Sequence, residues 1–265
     1  MKTVSHPITG QRYKLGRLRP HSRPPMLRLN NYLLRNFPNP PAAADYSTKA
    51  MAPLSDVYGN DIAGDCTCAA AFHVAATMLA NNAQPVPFQS SDALGLYKQL
   101  SGWNGVEDDP SDTGLVETQV LNYWAEKGLN PGGHAINGYV QVSANDMGEI
   151  QAALWLFSNV YFAASLPDAW VSPMPSDNGF VWDVAGASDP ANGHAFCGVG
   201  YDQTGVKIDT WGMLGTLTWE AIAEYCTVYT VLGTDLINKI TQLAPSGFNW
   251  TQLVSDLESL GPVQS

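Results

Sequence analysis

The pattern of apolar and polar positions between residues 66 and 130 is typical of helices. Three segments show it, namely the small and apolar CTCAAAFHVAATMLANN, SDALGLYKQL with Ser90, Ser91 or Asp92 as candidate N-cap, and GLVETQVLNYWAEKGLN. In the third segment the apolar side chains fall on one helical face, and Gly128 supplies a residue type that commonly ends helices. The pattern therefore predicts three consecutive helices in the first half of the chain.

Beyond residue 136 the pattern becomes mostly that of β-strands. Strands are predicted at GYVQVS, NVYFAASL, HAFCGVGYD, GVKIDTWG and YTVLG, and helices at DMGEIQAALWLFS, WEAIAEYC and FNWTQLVSDLESL. Residues 167–192, rich in Pro, Gly and Asp, are predicted to form a loop. A helical half followed by a strand-rich half predicts an α+β fold with room for a cleft between the halves.

Residues 1–45 differ from the rest of the chain. They hold seven of the 18 prolines, which predicts an extended arm with a short ordered piece at LRLNNYLLRNF. Residues 1–36 carry eight basic and no acidic side chains, whereas the remaining 229 residues carry a net charge of −19. This asymmetry predicts docking of the arm on its own acidic body or on a partner protein. Nucleic acid is disfavoured because the arm lacks interleaved aromatic residues and any recognisable motif.

The composition narrows the protein class. Apolar residues make up 45% of the chain, enough for a sizeable core. No apolar segment in the first 30 residues resembles a secretory signal, and the longest apolar stretch, AALWLFSNVYFAASL, is too short and too polar to cross a bilayer. We therefore expect no membrane association, a cytoplasmic location and reduced thiols. The four cysteines are Cys66, Cys68, Cys197 and Cys226.

Cys66 occupies a position that suits a nucleophile. It follows the loop GNDIAGD and begins the first predicted helix. Unpaired N–H groups and the positive end of the helix dipole stabilise a thiolate there. A lone cysteine is more often a small buried apolar residue, so Cys66 by itself decides nothing.

Two downstream motifs strengthen this interpretation. His194 begins the predicted strand HAFCGVGYD, and Asp209 lies in KIDTWG. Their offsets from Cys66 are 128 and 143 positions. A catalytic His and its third partner typically follow a papain-type nucleophile by about 130–150 residues.

These motifs resemble those of papain-like cysteine peptidases. The matching pieces, in the order of that family, are Gly64-Asp65-Cys66, Gly193-His194-Ala195, Gly200-Tyr201-Asp202 and Asp209-Thr210-Trp211-Gly212. The resemblance covers about residues 55–235. It implies a two-lobe α+β fold, with a helical left lobe, an antiparallel β-rich right lobe and the active site in the cleft between them. It also implies hydrolysis of peptide or protein substrates without a cofactor or metal.

The resemblance assigns roles to five residues. Cys66 would attack the amide carbonyl as a thiolate, and His194 would pair with it as general acid and base. Asp209 would orient the imidazole, and Trp211 would shield that pair from water. Asn60, six residues before Cys66, stands where the family has its oxyanion glutamine.

Three departures from the family pattern leave a second function open. Asn60 is one methylene shorter than Gln, Asp209 replaces Asn, and the acidic Asp65 precedes the nucleophile. The alternative is a catalytically weak or inactive papain-like module that serves as a binding or structural component of a larger assembly such as a virion. Acyl transfer or hydrolysis of a non-peptide amide would use the same residues.

Two other histidines are rivals for the catalytic position. His134 lies in a second Gly-His-Ala motif, but no Asp-x-Trp-Gly follows at the expected spacing. His73 lies on the helix of Cys66, two turns away, and is expected to be a core histidine. With Cys66 and Cys68 it lacks the spacing of a zinc knuckle, so no metal is expected.

The patterns divide the chain into an arm and a papain-like domain. Residues 1–45 form the basic arm, which would serve as a prosegment, cut near Pro40–Ala44, or as a permanent docking arm. Residues 46–135 form the helical lobe, 136–245 the β-rich lobe and 246–265 a C-terminal helix.

Overall fold

The computed structural model describes residues 1–21, 26–233 and 249–260. Its helices are α1 Met51–Leu54, α2 Cys66–Asn81, α3 Ser90–Ser101, α4 Glu117–Lys127, α5 Met147–Phe157, α6 Trp219–Tyr225 and α7 Trp250–Leu260. Its strands are β1 Lys2–Ser5, β2 Arg12–Leu15, β3 Arg17–Leu18, β4 Ala44–Asp45, β5 Leu115–Val116, β6 Ile136–Val142, β7 Val160–Pro167, β8 Phe180–Trp182, β9 Ser188–Tyr201, β10 Gly205–Thr210, β11 Met213–Thr218 and β12 Cys226–Gly233. Helices dominate the first half of the body and strands the second, as predicted, and the fold is α+β.

An eight-stranded sheet forms the second lobe. Seven strands run in the order β6-β12-β7-β9-β10-β11-β8, and β4 pairs with β9 outside this path. Every neighbouring pair is antiparallel except β11 with β8. The antiparallel β-rich lobe is therefore confirmed.

The central strand β9 separates two cores. Ala195, Cys197 and Val199 join the core that contains α2, whereas Phe196 joins the core that contains α5. Successive strand side chains point to opposite faces of a sheet, so a continuous apolar run fills both cores. The small residues of α2 let the helix approach the sheet closely, and Tyr161 on β7 donates a hydrogen bond to the carbonyl of Thr67 at 2.9 Å. This packing places the start of α2 against β9.

The arm has more structure than its composition predicts. Strands β1 and β2 form an antiparallel hairpin, and β3 pairs in parallel with β5 of the body. Val4, Tyr13 and Leu15 are buried in the core that contains α5. These residues alternate with polar ones, a strand pattern hidden among the prolines and basic residues.

Three further differences concern strands. Strand β11 was not predicted, and β8 together with the beginning of β9 lies within the predicted loop 167–192. Strand pairing supplies what local sequence does not, because Phe180–Trp182 is held by its parallel neighbour β11. The proposed lobe boundary at 245 and the outer parts of the predicted segment 246–265 lie outside the described residues. Among the helices that the structure describes, none is long and apolar enough to cross a membrane.

Candidate active site

Cys66 is the first residue of α2, at the predicted position, but it is only 1% exposed. Burial, with a smaller contribution from the charge of the nearby Asp65, raises the pKa of its thiol to about 12. Hydrogen bonds from the backbones of Gly16 and Ala195, and the charge of Arg17, act in the opposite direction. Loss of solvation therefore outweighs the helix terminus in this closed state, and the thiol is neutral.

His194 lies on β9, 2% exposed and packed between aromatic rings. Its ring stacks on Trp211 with centroids 4.6 Å apart. Nε2 lies 2.8 Å from the Thr210 hydroxyl oxygen, whereas Nδ1 has no hydrogen-bond partner among the described residues. Burial lowers the pKa of His194 to about 3, so the imidazole is neutral as well.

Asp209 lies at the same site but does not contact His194 by any hydrogen bond. It pairs with Cys197 in the β10–β9 register, and its Oδ2 lies 3.3 Å from Nδ1 of His73 on α2. Burial raises the pKa of Asp209 well above its usual value. Thr210 therefore makes the contact with the imidazole that the sequence motif assigns to Asp209.

Asn60 is buried beside Cys66, and its amide is engaged with the arm. Nδ2 donates to the Lys14 carbonyl at 3.0 Å, to the Ala63 carbonyl at 3.3 Å and to Asp65 Oδ1 at 3.4 Å. Asp65 makes no side-chain cap on α2, and burial raises its pKa well above the usual value. A neutral Asp65 would place no negative charge beside the thiol.

One small cavity of about 10 Å³ brings the predicted residues together. Its lining includes Cys66, His194, Asp209, Asn60 and Trp211. This volume has room for about one water molecule. His73 and Thr210 also line it, although sequence reasoning gave neither a role. Thr210 stood inside the quoted Asp-Thr-Trp-Gly motif, which is the signal that could have identified it.

The rival histidine His134 lies elsewhere. Its ring packs edge-on against Phe88, with centroids 5.4 Å apart, and it is absent from the lining of the Cys66 cavity. His73 is buried on α2, as expected, and burial lowers its pKa to about 4. Of the two Gly-His-Ala motifs, the fold therefore brings only the one at His194 to Cys66.

The arm closes the cleft over Cys66. Gly16 accepts a hydrogen bond from the Leu115 backbone N–H at 2.9 Å, and β3 continues this contact along β5. On the opposite wall, Gly193 lies directly against the Arg17 carbonyl. A methyl group on Gly16 would overlap the backbone carbonyl of Gly64. The arm backbone thus fits the cleft only because glycine is present at this position.

Two buried ion pairs fasten the arm to the helical lobe. Arg17 donates to both carboxylate oxygens of Glu117, at 2.9 and 3.1 Å. Lys14 donates to Asp112 at 3.1 Å, and Asp112 also accepts a hydrogen bond from Tyr97. The bidentate Arg–carboxylate geometry fixes the position of the arm as well as its charge partner.

The architecture defines the structural class of the chain. The chain has the papain-like cysteine protease fold, and solved structures of such proteases match it across most of their length.

Three of these structures come from different kingdoms of life. Xylellain, a cysteine protease from Xylella fastidiosa, has a TM-score of 0.62 and 15% identity, over 88% of this chain and 99% of that chain. A digestive procathepsin L2 proteinase from Tenebrio molitor larval midgut has a TM-score of 0.56 and 15% identity, over 83% of this chain and 78% of that chain. A cysteine protease from Carica candamarcensis has a TM-score of 0.50 and 15% identity, over 73% of this chain and 99% of that chain. No family model and no curated protein matches the sequence.

Proposed function

We propose that this protein is a cysteine-type peptidase held in a latent state by its own N-terminal arm. The observation that carries the proposal is the common cavity of Cys66 and His194 in a papain-like fold, with the arm backbone hydrogen-bonded to the thiol. The arm, residues 1–45, acts as a prosegment or as a reversible docking arm. Its substrates are peptides or proteins.

The chemistry follows from displacement of the arm. Water reaching the cleft restores solvation, so Cys66 and His194 form a thiolate–imidazolium pair. The thiolate attacks the amide carbonyl carbon and forms a C–S bond. His194 then gives its proton to the leaving amine as the C–N bond breaks. Water hydrolyses the thioester and regenerates the thiol.

We assign the supporting roles by contact. Thr210 accepts a hydrogen bond from Nε2–H of His194, which leaves the lone pair on Nδ1 free to act as the base. Asp209 supports this end of the site from the neighbouring position on β10. The Asn60 amide, which now donates to the Lys14 carbonyl, would donate to the substrate oxyanion together with the Cys66 backbone N–H.

Activity of an opened chain tests the proposal. Gly16→Ala removes the space that the arm backbone needs, so the variant should cleave a fluorescently labelled unfolded protein and release new amino termini. The matched variant Gly16→Ala/Cys66→Ser should release none. New amino termini distinguish peptide hydrolysis from acyl transfer. Equal and negligible release by both variants would contradict a peptidase.

A binding or structural module is the second candidate function. It is favoured by the same burial, because the closed site holds a neutral thiol and a neutral imidazole. In that case the arm is a permanent part of the domain, and an opened chain remains chemically inert.

Thr210 provides a prediction on the imidazole contact. In the Gly16→Ala background, Thr210→Val should slow alkylation of Cys66 at pH 6 by about two- to tenfold, because a net hydrogen bond contributes about 0.5–1.5 kcal/mol. Thr210→Ser retains the hydroxyl and should react at the parent rate. Rates measured with iodoacetamide over pH 5–9 check this. Equal rates for Val and Ser would remove Thr210 from the proposed site.

A further inference from the structure

A second chemical cluster lies behind the cavity of Cys66. His73 on α2, Cys197 on β9 and Asp209 on β10 each present a ligand atom, and these atoms lie within 4.8 Å of one another. All three side chains are buried. The cluster therefore connects the helical lobe to the sheet at a point that solvent does not reach.

The hydrogen-bond partners determine the state of His73. Its Nε2 lies 2.9 Å from the backbone carbonyl oxygen of Asp56. A carbonyl only accepts, so Nε2 carries the hydrogen, and the neutral ring then has its lone pair on Nδ1. That lone pair faces Oδ2 of Asp209 at 3.3 Å.

With an ionised carboxylate and this tautomer of His73, the short contact has no hydrogen between the two atoms. Neither carboxylate oxygen of Asp209 has a hydrogen-bond partner in the described part of the chain. A nitrogen lone pair and a carboxylate oxygen at this distance repel each other unless a cation lies between them. A proton on Asp209 would satisfy that requirement, and so would a metal ion.

Cys197, the third member of the cluster, favours a metal ion over a proton. A shared proton needs only His73 and Asp209, whereas the Cys197 sulfur adds a soft ligand of the kind that Zn²⁺ prefers. With Zn–N, Zn–O and Zn–S bonds of about 2.0–2.3 Å, tetrahedral ligands stand roughly 3.3–3.6 Å apart. Small side-chain shifts would close the cluster to these separations.

Two features of the surroundings fit a metal. A ligating histidine usually donates its other N–H to a carbonyl or carboxylate, and His73 does so to Asp56. A thiolate, a carboxylate and a neutral imidazole together carry two negative charges, so a divalent cation makes the buried site neutral. That neutrality avoids the cost of an unpaired buried charge.

We propose that His73 Nδ1, Cys197 Sγ and the Asp209 carboxylate bind one Zn²⁺ ion that ties α2 to β9 and β10. Binding releases the thiol proton of Cys197 and any proton on Asp209. The adjacent cavity, which His73 and Asp209 help to line, has room for a water molecule as the fourth ligand. Three protein ligands and one water make an open zinc site, and the inference stands whether or not the protein is a peptidase.

Metal analysis of the intact chain tests the site. After purification without chelator, plasma mass spectrometry should find about one zinc per chain. The chain stripped of metal and reloaded with Co²⁺ should show a thiolate-to-cobalt charge-transfer band in the near ultraviolet. A wild-type chain that holds no zinc and takes up no Co²⁺ would overturn the proposal and leave a proton between His73 and Asp209.

Three variants identify the ligands of the ion. If a variant does not fold, the zinc content and cobalt spectrum of the wild-type chain still test the proposal. Cys197→Ala should lose the cobalt band and bind Zn²⁺ at least about 100-fold more weakly, because a direct ligand is removed. Cys68→Ala changes a buried cysteine outside the cluster and should keep both the cobalt band and the affinity for Zn²⁺. Cys66→Ser should also keep them, which separates this site from the nucleophile. Retention by Cys197→Ala, or loss in either control, would overturn the assignment.

Discussion

Gly16→Ala should raise the rate at which iodoacetamide alkylates Cys66 at pH 7 by roughly 10²-fold. With a thiol pKa of about 12, the wild-type chain holds only about 10⁻⁵ of Cys66 as thiolate at this pH. Even an ordinary exposed thiol, with a pKa of about 8.5, holds roughly 3%, and the imidazolium of His194 would raise that fraction further in the opened chain. A thiolate of lower pKa is intrinsically less nucleophilic by roughly 40-fold here, which offsets part of that gain. Better access of iodoacetamide to the sulfur increases the alkylation rate further.

The expected effect has a specific structural cause. Gly16 lies against the Gly64 carbonyl, and its own carbonyl accepts from Leu115. A methyl group cannot be accommodated without moving backbone, so the arm must leave this part of the cleft. The ion pairs of Lys14 and Arg17 then become exposed to water and contribute little to holding the arm in place.

Controls separate opening from unfolding. Gly95 lies on α3 with open space around the position of a β-carbon, so Gly95→Ala should leave the alkylation rate unchanged. Thermal melting should show that both variants retain a cooperative transition. In the wild-type chain the rate should climb about tenfold per pH unit from pH 7 to 10 without a plateau, because the thiol pKa lies above that range. Fast labelling of the wild type at pH 7 would contradict the closed state.

His194→Ala in the Gly16→Ala background should abolish fast alkylation of Cys66 below pH 7 and lower peptidase activity by roughly 10²–10⁴-fold. In the opened chain the imidazolium lowers the thiol pKa, so labelling should already be fast near pH 6 and nearly constant above it. Without the imidazole, the thiol should titrate near an ordinary pKa of about 8.5. The alkylation rate as a function of pH, with the site located by peptide mass mapping, reports both shapes.

His134→Ala provides the matched control for this experiment. It removes the histidine of the other Gly-His-Ala motif, which packs against Phe88 outside the cavity. Its alkylation profile should match that of the opened parent. If His194→Ala and His134→Ala gave the same profile as the parent, the thiolate–imidazolium pair would not exist. The remaining interpretation would then be the binding module.

Many of the helices and strands follow from local patterns in the sequence. The helical patterns after Cys66 predicted α2, α3 and α4: α2 is small and apolar along its length, and α4 presents one apolar face that must be buried. The apolar run through His194 predicted β9, the central strand. The order of the motifs around Cys66, His194 and Asp209 also indicated which residues would meet, since the family resemblance supplied the long-range connection that periodicity lacks.

Other features depend on contacts between distant segments. The β1–β2 hairpin and β8 are held by pairing and burial that their own composition does not encode. Asp209 lies 3.3 Å from His73 on α2, whereas the next residue, Thr210, contacts His194 on β9. Neighbouring residues in one motif can therefore serve different partners.

The sequence by itself determined the fold class, the order of the elements and the set of candidate residues around Cys66. Only the tertiary structure decided that the arm crosses the cleft, that the thiol and imidazole are neutral beneath it, and that a His–Cys–Asp cluster lies behind them. The physical reason is that periodicity and propensity act between near neighbours in the chain. Protonation depends on solvent exclusion, and ligand clusters depend on backbones more than 100 residues apart coming into contact.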